Sequence, residues 1–231
     1  MATSMEPSRP AVTPPGHPGP RRRLTAQERG TGLLYTPPMR SLCVYCGSSP
    51  GFDPAYLASA RRFGGLLGRQ GIRLVYGGGD VGLMGAVADA TLAAGGEVVG
   101  VIPQGLVDRE VAHCGLTELH VTHSMHERKA LMAELAEGFV ALPGGLGTFE
   151  ELFEIITWAQ LGLHRKPIGI LNEQGYYDAL VAFVDHSVEA GFVRPEHRQL
   201  FCVEDNGEAL LEHFDGWRAP VVPKWLGMDE S

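Results

Sequence analysis

The residues with the clearest chemistry lie where the apolar run Gly138-Phe139-Val140-Ala141-Leu142 enters Pro143-Gly144-Gly145-Leu146-Gly147-Thr148-Phe149-Glu150-Glu151. Glycines there permit a tight turn with exposed backbone N–H groups. Thr148 can cap the helix that follows or donate its hydroxyl to a phosphate, and the helix dipole favours an anion. Glu150 and Glu151 have a plain reading as first-turn acids complementing that dipole. Yet two carboxylates beside an anion pocket repel the ligand, which makes sense where one of them does chemistry. A second loop, Tyr76-Gly77-Gly78-Gly79-Asp80-Val81-Gly82-Leu83-Met84-Gly85, offers another phosphate cradle through Gly77, Gly78, Gly79 and Gly82. Cys46-Gly47-Ser48-Ser49 adds small residues and hydroxyls after the first apolar run.

Gly77, Gly79 and Gly82 also satisfy the dinucleotide pattern G-x-G-x-x-G. The acid that should bind a ribose, Glu97, stands before the strand Val98–Ile102, whereas a ribose-binding acid belongs at a strand's carboxyl end, so a nicotinamide-dependent dehydrogenase is disfavoured. Arg128 and Lys129 open a helix and lie about 100° apart around it, so one can face a cleft while the other reaches its rim. A solvated basic pair is the alternative reading. His120, His123 and His126 invite a metal hypothesis, but along a helix the first and last would be rotated by about 240°, so the three do not converge. Cys43 and Cys46 form C-x-x-C, yet in an apolar strand-like run and without a second pair to complete a zinc site.

Short apolar runs alternating with longer amphipathic ones must position these residues. The strand candidates are Leu42–Cys46, Arg73–Tyr76, Val98–Ile102, Leu119–Thr122, Gly138–Leu142, Ile168–Leu171 and Leu200–Val203. Helices are expected at Pro54–Arg69, Gly82–Ala94, Met125–Glu137, Thr148–Leu163, Tyr176–Ala190 and Gly207–His213. That alternation predicts an α/β class protein: one doubly wound, Rossmann-like domain over residues 41–217 with a mainly parallel sheet, whose ligands sit at the carboxyl ends of the strands.

Composition bounds the rest. The 231 residues carry a net charge of −8, but residues 1–40 hold six arginines against two acids. The remainder holds 13 basic residues against 25 acids, so a +4 segment precedes a −12 domain. Residues 1–40, with eight of the 16 prolines, read as a disordered Pro/Arg-rich tail, and 218–231 as a C-terminal tail. The acidic domain argues against nucleic acid as partner, and no apolar stretch suggests a secretory signal or a membrane span; the cytoplasm is the expected location.

Together these motifs resemble the LONELY GUY (LOG) family, the cytokinin riboside 5′-monophosphate phosphoribohydrolases. Pro143 to Glu151 matches the family's PGGxGTxxE, Tyr76 to Gly85 its YGGGxxGLMG loop, Met125-His126-Glu127-Arg128-Lys129 its M-x-x-R-K helix start, and Ile156 to Gly162 the following helix. The resemblance runs from about Ser41 to Asp215. It implies hydrolysis of the N-glycosidic bond of a nucleoside 5′-monophosphate, such as an N6-modified AMP, to free base and ribose 5-phosphate. It implies Arg128 and Glu151 as the catalytic pair. Binding positions carry over to Glu110, Lys129, Gly145, Leu146, Gly147, Thr148, Phe149, Glu150 and Thr157, with the glycine loop at Gly77–Gly82 adding to the phosphate pocket. It also implies a homodimer or higher homo-oligomer, with no cofactor and no metal.

The chemistry of the residues fits that reaction. Breaking a ribosyl C1′–N bond builds positive charge on the sugar, which a carboxylate at Glu151 can stabilise while orienting water. Arg128 could hold Glu151 ionised and oriented, or contact the leaving base. A lysine decarboxylase would need pyridoxal phosphate on a lysine, and only Lys129 lies near the expected cleft. A nucleotide-binding sensor that never cleaves its ligand, and a purine nucleotide nucleosidase of wider range, remain as alternatives.

Overall fold

A computed structural model describes residues 39–107 and 112–220. The expected tails and Glu110 therefore lie largely or wholly outside the described residues. Seven parallel strands form one sheet: β1 (Ser41–Tyr45), β2 (Arg73–Tyr76), β3 (Val98–Pro103), β4 (Glu118–Thr122), β5 (Gly138–Ala141), β6 (Ile168–Leu171) and β7 (Cys202–Glu204). The connecting helices are α1 (Pro54–Gln70), α2 (Gly82–Ala93), α3 (Gln104–Val107), α4 (Met125–Leu135), α5 (Leu146–Gln160), α6 (Asp178–Glu189), α7 (Pro195–Arg198) and α8 (Gly207–Asp215). The fold is thus the α/β Rossmann-like arrangement that the alternating pattern predicts.

The strand order is β4-β3-β2-β1-β5-β6-β7. From β1 the chain winds outward through β2, β3 and β4, then returns to the other side of β1 to lay down β5, β6 and β7. The sheet reverses direction of winding between β1 and β5, and in such sheets the crevice beyond the carboxyl ends at that point is where ligands bind. Central strands read as continuous apolar runs because both of their faces are covered. On one face Leu42, Val44, Leu74 and Tyr76 pack against Phe63, Leu67 and Val87 of α1 and α2 and against Leu210 of α8. On the other, Cys43, Val75, Phe139 and Ile170 pack against Met132 of α4, Leu152 and Ile155 of α5, and Val184 of α6.

This two-faced packing disposes of the C-x-x-C motif. Cys43 belongs to one core and Cys46 to the other, three residues on, and four free thiols are found among the described residues. Residues three apart in an extended strand are separated by about 10 Å, beyond reach of a disulfide. Burial pushes both thiols well above their ordinary range, which keeps them protonated.

Candidate active site

Two helix N-termini build the site, and each is fixed locally. At α4, Ser124 accepts a hydrogen bond from the Glu127 N–H at 3.1 Å, while the Glu127 carboxylate reaches back to the His123 N–H at 2.8 Å. This is a variant of the capping box in which the return bond goes to the residue before the cap, and it fixes the first turn from which Arg128 projects. At α5 the structure differs from expectation. The helix begins at Leu146, its N-cap is Gly145, and Thr148 makes no capping bond, so Thr148 is not the cap. With no capping side chain, the N–H groups of Leu146, Gly147 and Thr148 have no carbonyl one turn back; the ladder begins with Phe149 donating to Gly145 at 3.1 Å. Glu150 and Glu151 consequently fall in the second turn, beyond the reach of the dipole that explained them as first-turn acids.

A cavity of about 290 Å³ lies between these termini, over the carboxyl ends of β1 and β5. Gly145, Leu146, Gly147, Thr148, Glu150 and Glu151 form its α5 wall. Arg128, Met125 and Met132 face them from α4, and Tyr45, Cys46, Gly47 and Ser48 close it from β1. Its volume is near the lower end for small-molecule sites, which suits a ligand with one end in solvent. A Cβ on Gly145 or Gly147 would meet nothing within 4 Å, so both present bare backbone to open space. Gly144 is the opposite case: a Cβ there would stand 2.1 Å from the Thr148 hydroxyl and 2.9 Å from the Gly47 nitrogen.

Arg128 and Glu151 meet inside this cavity, with Nη2 3.6 Å from Oε1 and side chains only 9% and 11% exposed. The guanidinium is also held at Nε, which donates to the Val101 carbonyl at 3.2 Å, and its Nη1 lies 3.7 Å from the Met125 sulfur. At 3.6 Å the pair is an electrostatic contact rather than a tight hydrogen bond, so the carboxylate keeps its lone pairs for another partner. Desolvation is the strongest influence on Glu151 and pushes its pKa up to about 7; Arg128 pulls it down and Glu150 pushes it up. A carboxyl poised near neutrality in a cleft is a functional-site signature.

The adjacent pair behaves differently. Lys129 is buried behind Arg128, where its ammonium binds Glu150 and, at 2.9 Å, Glu154. Those two acids are one helical turn apart, so Lys129 ties α4 to α5 from outside the cavity wall. Of the other expected binding positions, Phe149 packs edge-on against Tyr177 in the core, and the Thr157 hydroxyl donates to Phe153 in its own helix. Of the glycines expected in the first loop's phosphate cradle only Gly77 lines the cavity, with Met84 from the same loop. Gly78 backs onto Ile102, Gly79 bridges to Ala112, and Gly82 packs on the Ser48 backbone. Glu97 binds Arg73 at 2.8 Å beside the start of β3, the wrong end of the sheet for a ribose. His120, His123 and His126 do not converge, and among the described residues no group of His, Cys, Asp or Glu is arranged to hold a metal ion.

Sequence reasoning missed the two tyrosines that hold the second loop from behind. Tyr177 donates to the Leu142 carbonyl at 2.7 Å, and Tyr176 to the Gly144 carbonyl. Carbonyl acceptors have no side-chain signature, so nothing in the sequence pointed to this pair.

Known proteins of the same build are numerous. Residues 84–214 match a family model described as "Possible lysine decarboxylase". The chain is 51% identical over 172 residues to a probable cytokinin riboside 5′-monophosphate phosphoribohydrolase, LOGL5, of Oryza sativa subsp. japonica, covering 74% of this chain and 70% of that one. It is 49% identical over 187 residues to the cytokinin riboside 5′-monophosphate phosphoribohydrolase of Rhodococcoides fascians, covering 80% and 91%. Among solved structures, a molybdenum cofactor binding protein from Rippkaea orientalis superposes with a TM-score of 0.57 at 18% identity, over 79% of this chain and 98% of that one. Likeness at that identity speaks for the fold alone.

Proposed function

This chain belongs to the LOG family of cytokinin riboside 5′-monophosphate phosphoribohydrolases, and from that membership we propose that its cavity hydrolyses the N-glycosidic bond of a nucleoside 5′-monophosphate. The observation that supports the reading best is the buried Arg128–Glu151 contact set against the uncapped N-terminus of α5.

The substrate phosphate lies against the free N–H groups of Leu146, Gly147 and Thr148, where the helix terminus supplies positive potential without a mobile cation. This matters because Lys129 is already neutralised by Glu150 and Glu154. Anchoring the phosphate supplies remote binding energy to the reacting end and orients the ribose beneath Glu151. As the C1′–N bond lengthens, the ionised carboxylate stabilises the positive charge on the sugar and directs water to C1′. Water gives its oxygen to C1′ and a proton to the departing base. Arg128 opposes the desolvation that favours the protonated form, so that Glu151 ionises near pH 7.

The substrate class is purine nucleoside 5′-monophosphates, N6-modified AMP among them, as the names of the relatives suggest. The test is incubation of purified protein with AMP and with N6-isopentenyl AMP, following free base and ribose 5-phosphate. Release from the modified nucleotide is the expected result; no release from either would remove the hydrolase reading. Homo-oligomeric assembly in the cytoplasm completes the proposal. The assembly is supported by an open groove whose lining includes Ala130, Ala133, Trp158 and Leu163 beside Glu134 and Lys166, and by the exposed Leu161 and Leu163, at 60% and 69%. Among the described residues no helix is long and apolar enough to cross a membrane.

A further inference from the structure

The loop after β2 offers Gly77 as an anion contact by sequence, but the structure fills the space over its Cα with protein. A Cβ built on Gly77 would stand 2.1 Å from Nη2 of Arg128, 3.3 Å from its Cζ and 3.3 Å from the Met84 sulfur. Gly77 is not among the glycines with positive φ, so its backbone conformation is open to alanine and only the space is not. Nη2 is also the atom that faces Glu151. The other guanidinium contacts, Nε to the Val101 carbonyl and Nη1 to the Met125 sulfur, hold the plane of the fork from β3 and from α4's own first turn.

We propose that Gly77 is a positioning residue for the reaction: its missing side chain is the seat that lets Arg128 lie across the ends of β2 and β3 with Nη2 turned to Glu151. The glycine serves the protein's own cation, not the substrate phosphate. Because an arginine tip is flexible, a methyl group at residue 77 swings the guanidinium off its seat rather than unfolding the domain. The cost falls on alignment, and misplacement of a reacting group by about 1 Å can cost on the order of a hundredfold in rate. The inference rests on the reading of Arg128 and Glu151 as the working pair, so its test separates the two.

The experiment compares wild type with Gly77→Ala by steady-state kinetics on N6-isopentenyl AMP and by two-dimensional NMR of arginine Nε–H groups. The Arg128 signal is assigned by its loss in Arg128→Lys. The expected result is a displaced Arg128 signal, kcat lower by about a hundredfold, and KM within roughly threefold of wild type. The protonation-sensitive limb of the rate should also move to higher pH. Of the charged and titratable groups around Glu151, namely Arg128 and Lys129 from α4, Glu150 and Glu154 from α5, and Cys43, Tyr45 and Cys46 from β1, the substitution moves only Arg128. An unmoved Arg128 signal overturns the seat. A displaced signal with full turnover also overturns the positioning role, and places the fault in the catalytic reading of Arg128. Should Gly77→Ala fail to fold, Gly77→Ala with Arg128→Ala, which vacates the space, is expected to fold; failure of both overturns the proposal.

Discussion

Tyr76–Gly85 and Pro143–Glu151 are both strand-to-helix loops rich in glycine, and by composition they offer a ligand the same bare backbone. In the structure the glycines of the first loop are covered by the protein itself: Gly77 by Arg128, Gly78 by Ile102, Gly82 by the Ser48 backbone. In the second, Gly145 and Gly147 face nothing within 4 Å, and although neither following helix has a side-chain cap, the Leu83 N–H of α2 is taken by the Gly47 carbonyl at 3.0 Å whereas the first three N–H groups of α5 have no carbonyl one turn back. One loop spends its missing side chains on close approach between segments; the other packs Gly144 against Thr148 and Gly47 but leaves Gly145 and Gly147 as room beside unpaired donors. A glycine motif therefore reports that something comes near, and only the packing says whether that is protein or ligand.

The largest effect that sharpens this contrast is at the end of the second loop. Glu151→Gln should lower turnover by about a thousandfold or more while leaving AMP affinity nearly intact, because the N–H groups of Leu146, Gly147 and Thr148 are untouched. Calorimetric titration beside a product assay separates these, and loss of binding equal to the loss of rate would mean that the carboxylate grips rather than reacts. The wild-type kcat/KM should rise through about pH 7 as Glu151 ionises and level off above it, whereas a fall above that pH would make Glu151 a proton donor. Stability moves the opposite way. The folded carboxyl titrates near 7 against 4.5 unperturbed, so between those values the native state holds more protons than the unfolded one and wild type loses stability as pH rises. Glutamine does not titrate, so the stability of Glu151→Gln relative to wild type should grow by roughly 2 to 3 kcal/mol between denaturant melts at pH 5 and pH 8.

The next effect belongs to the first loop. Gly82 has φ of +63° and a Cβ on it would lie 2.4 Å from the Ser48 carbonyl carbon. Alanine there meets both backbone strain and backbone atoms that cannot step aside, so Gly82→Ala should cost at least about 2 kcal/mol of stability by chemical denaturation. A variant as stable as wild type would break the claim that this loop's glycines serve packing.

The same distinction marks how far the sequence could be read. Apolar runs covered on both faces located β2 and β6 to the residue, since nothing competes with burial there. The start of α5 was expected at Thr148 because threonine is a favoured cap, but the chain enters the helix through Gly145 and leaves its donors free. The last strand was expected to begin at Leu200 but begins at Cys202, because α7, with Pro195 at its first turn, runs into a turn in which the Leu200 N–H binds the His197 carbonyl. Topology places the two pairs Arg128-Lys129 and Glu150-Glu151 at the carboxyl ends of strands, and the resemblance to the LOG family chooses Arg128 and Glu151 from them. Val101, Tyr176 and Tyr177 were not legible, because they act on or through backbone carbonyls, which every residue has.

The smallest effect is the most discriminating. Gly147 lies in the first turn of α5 with open space where a side chain would be, so Gly147→Ala asks the second loop the question that Gly82→Ala asks the first. Alanine in a helix is favoured over glycine by up to about 1 kcal/mol, and no neighbour opposes it, so the melting temperature should hold or rise slightly. The methyl group instead enters the space reserved for the phosphate, and KM for the nucleotide should rise roughly threefold with kcat little changed, the signature of lost uniform binding. Opposite signs in the two loops, stability lost at Gly82 and affinity lost at Gly147, are what the packing requires. A fall in melting temperature at Gly147 without a change in KM would make the second loop another packing device and leave the phosphate to be bound elsewhere.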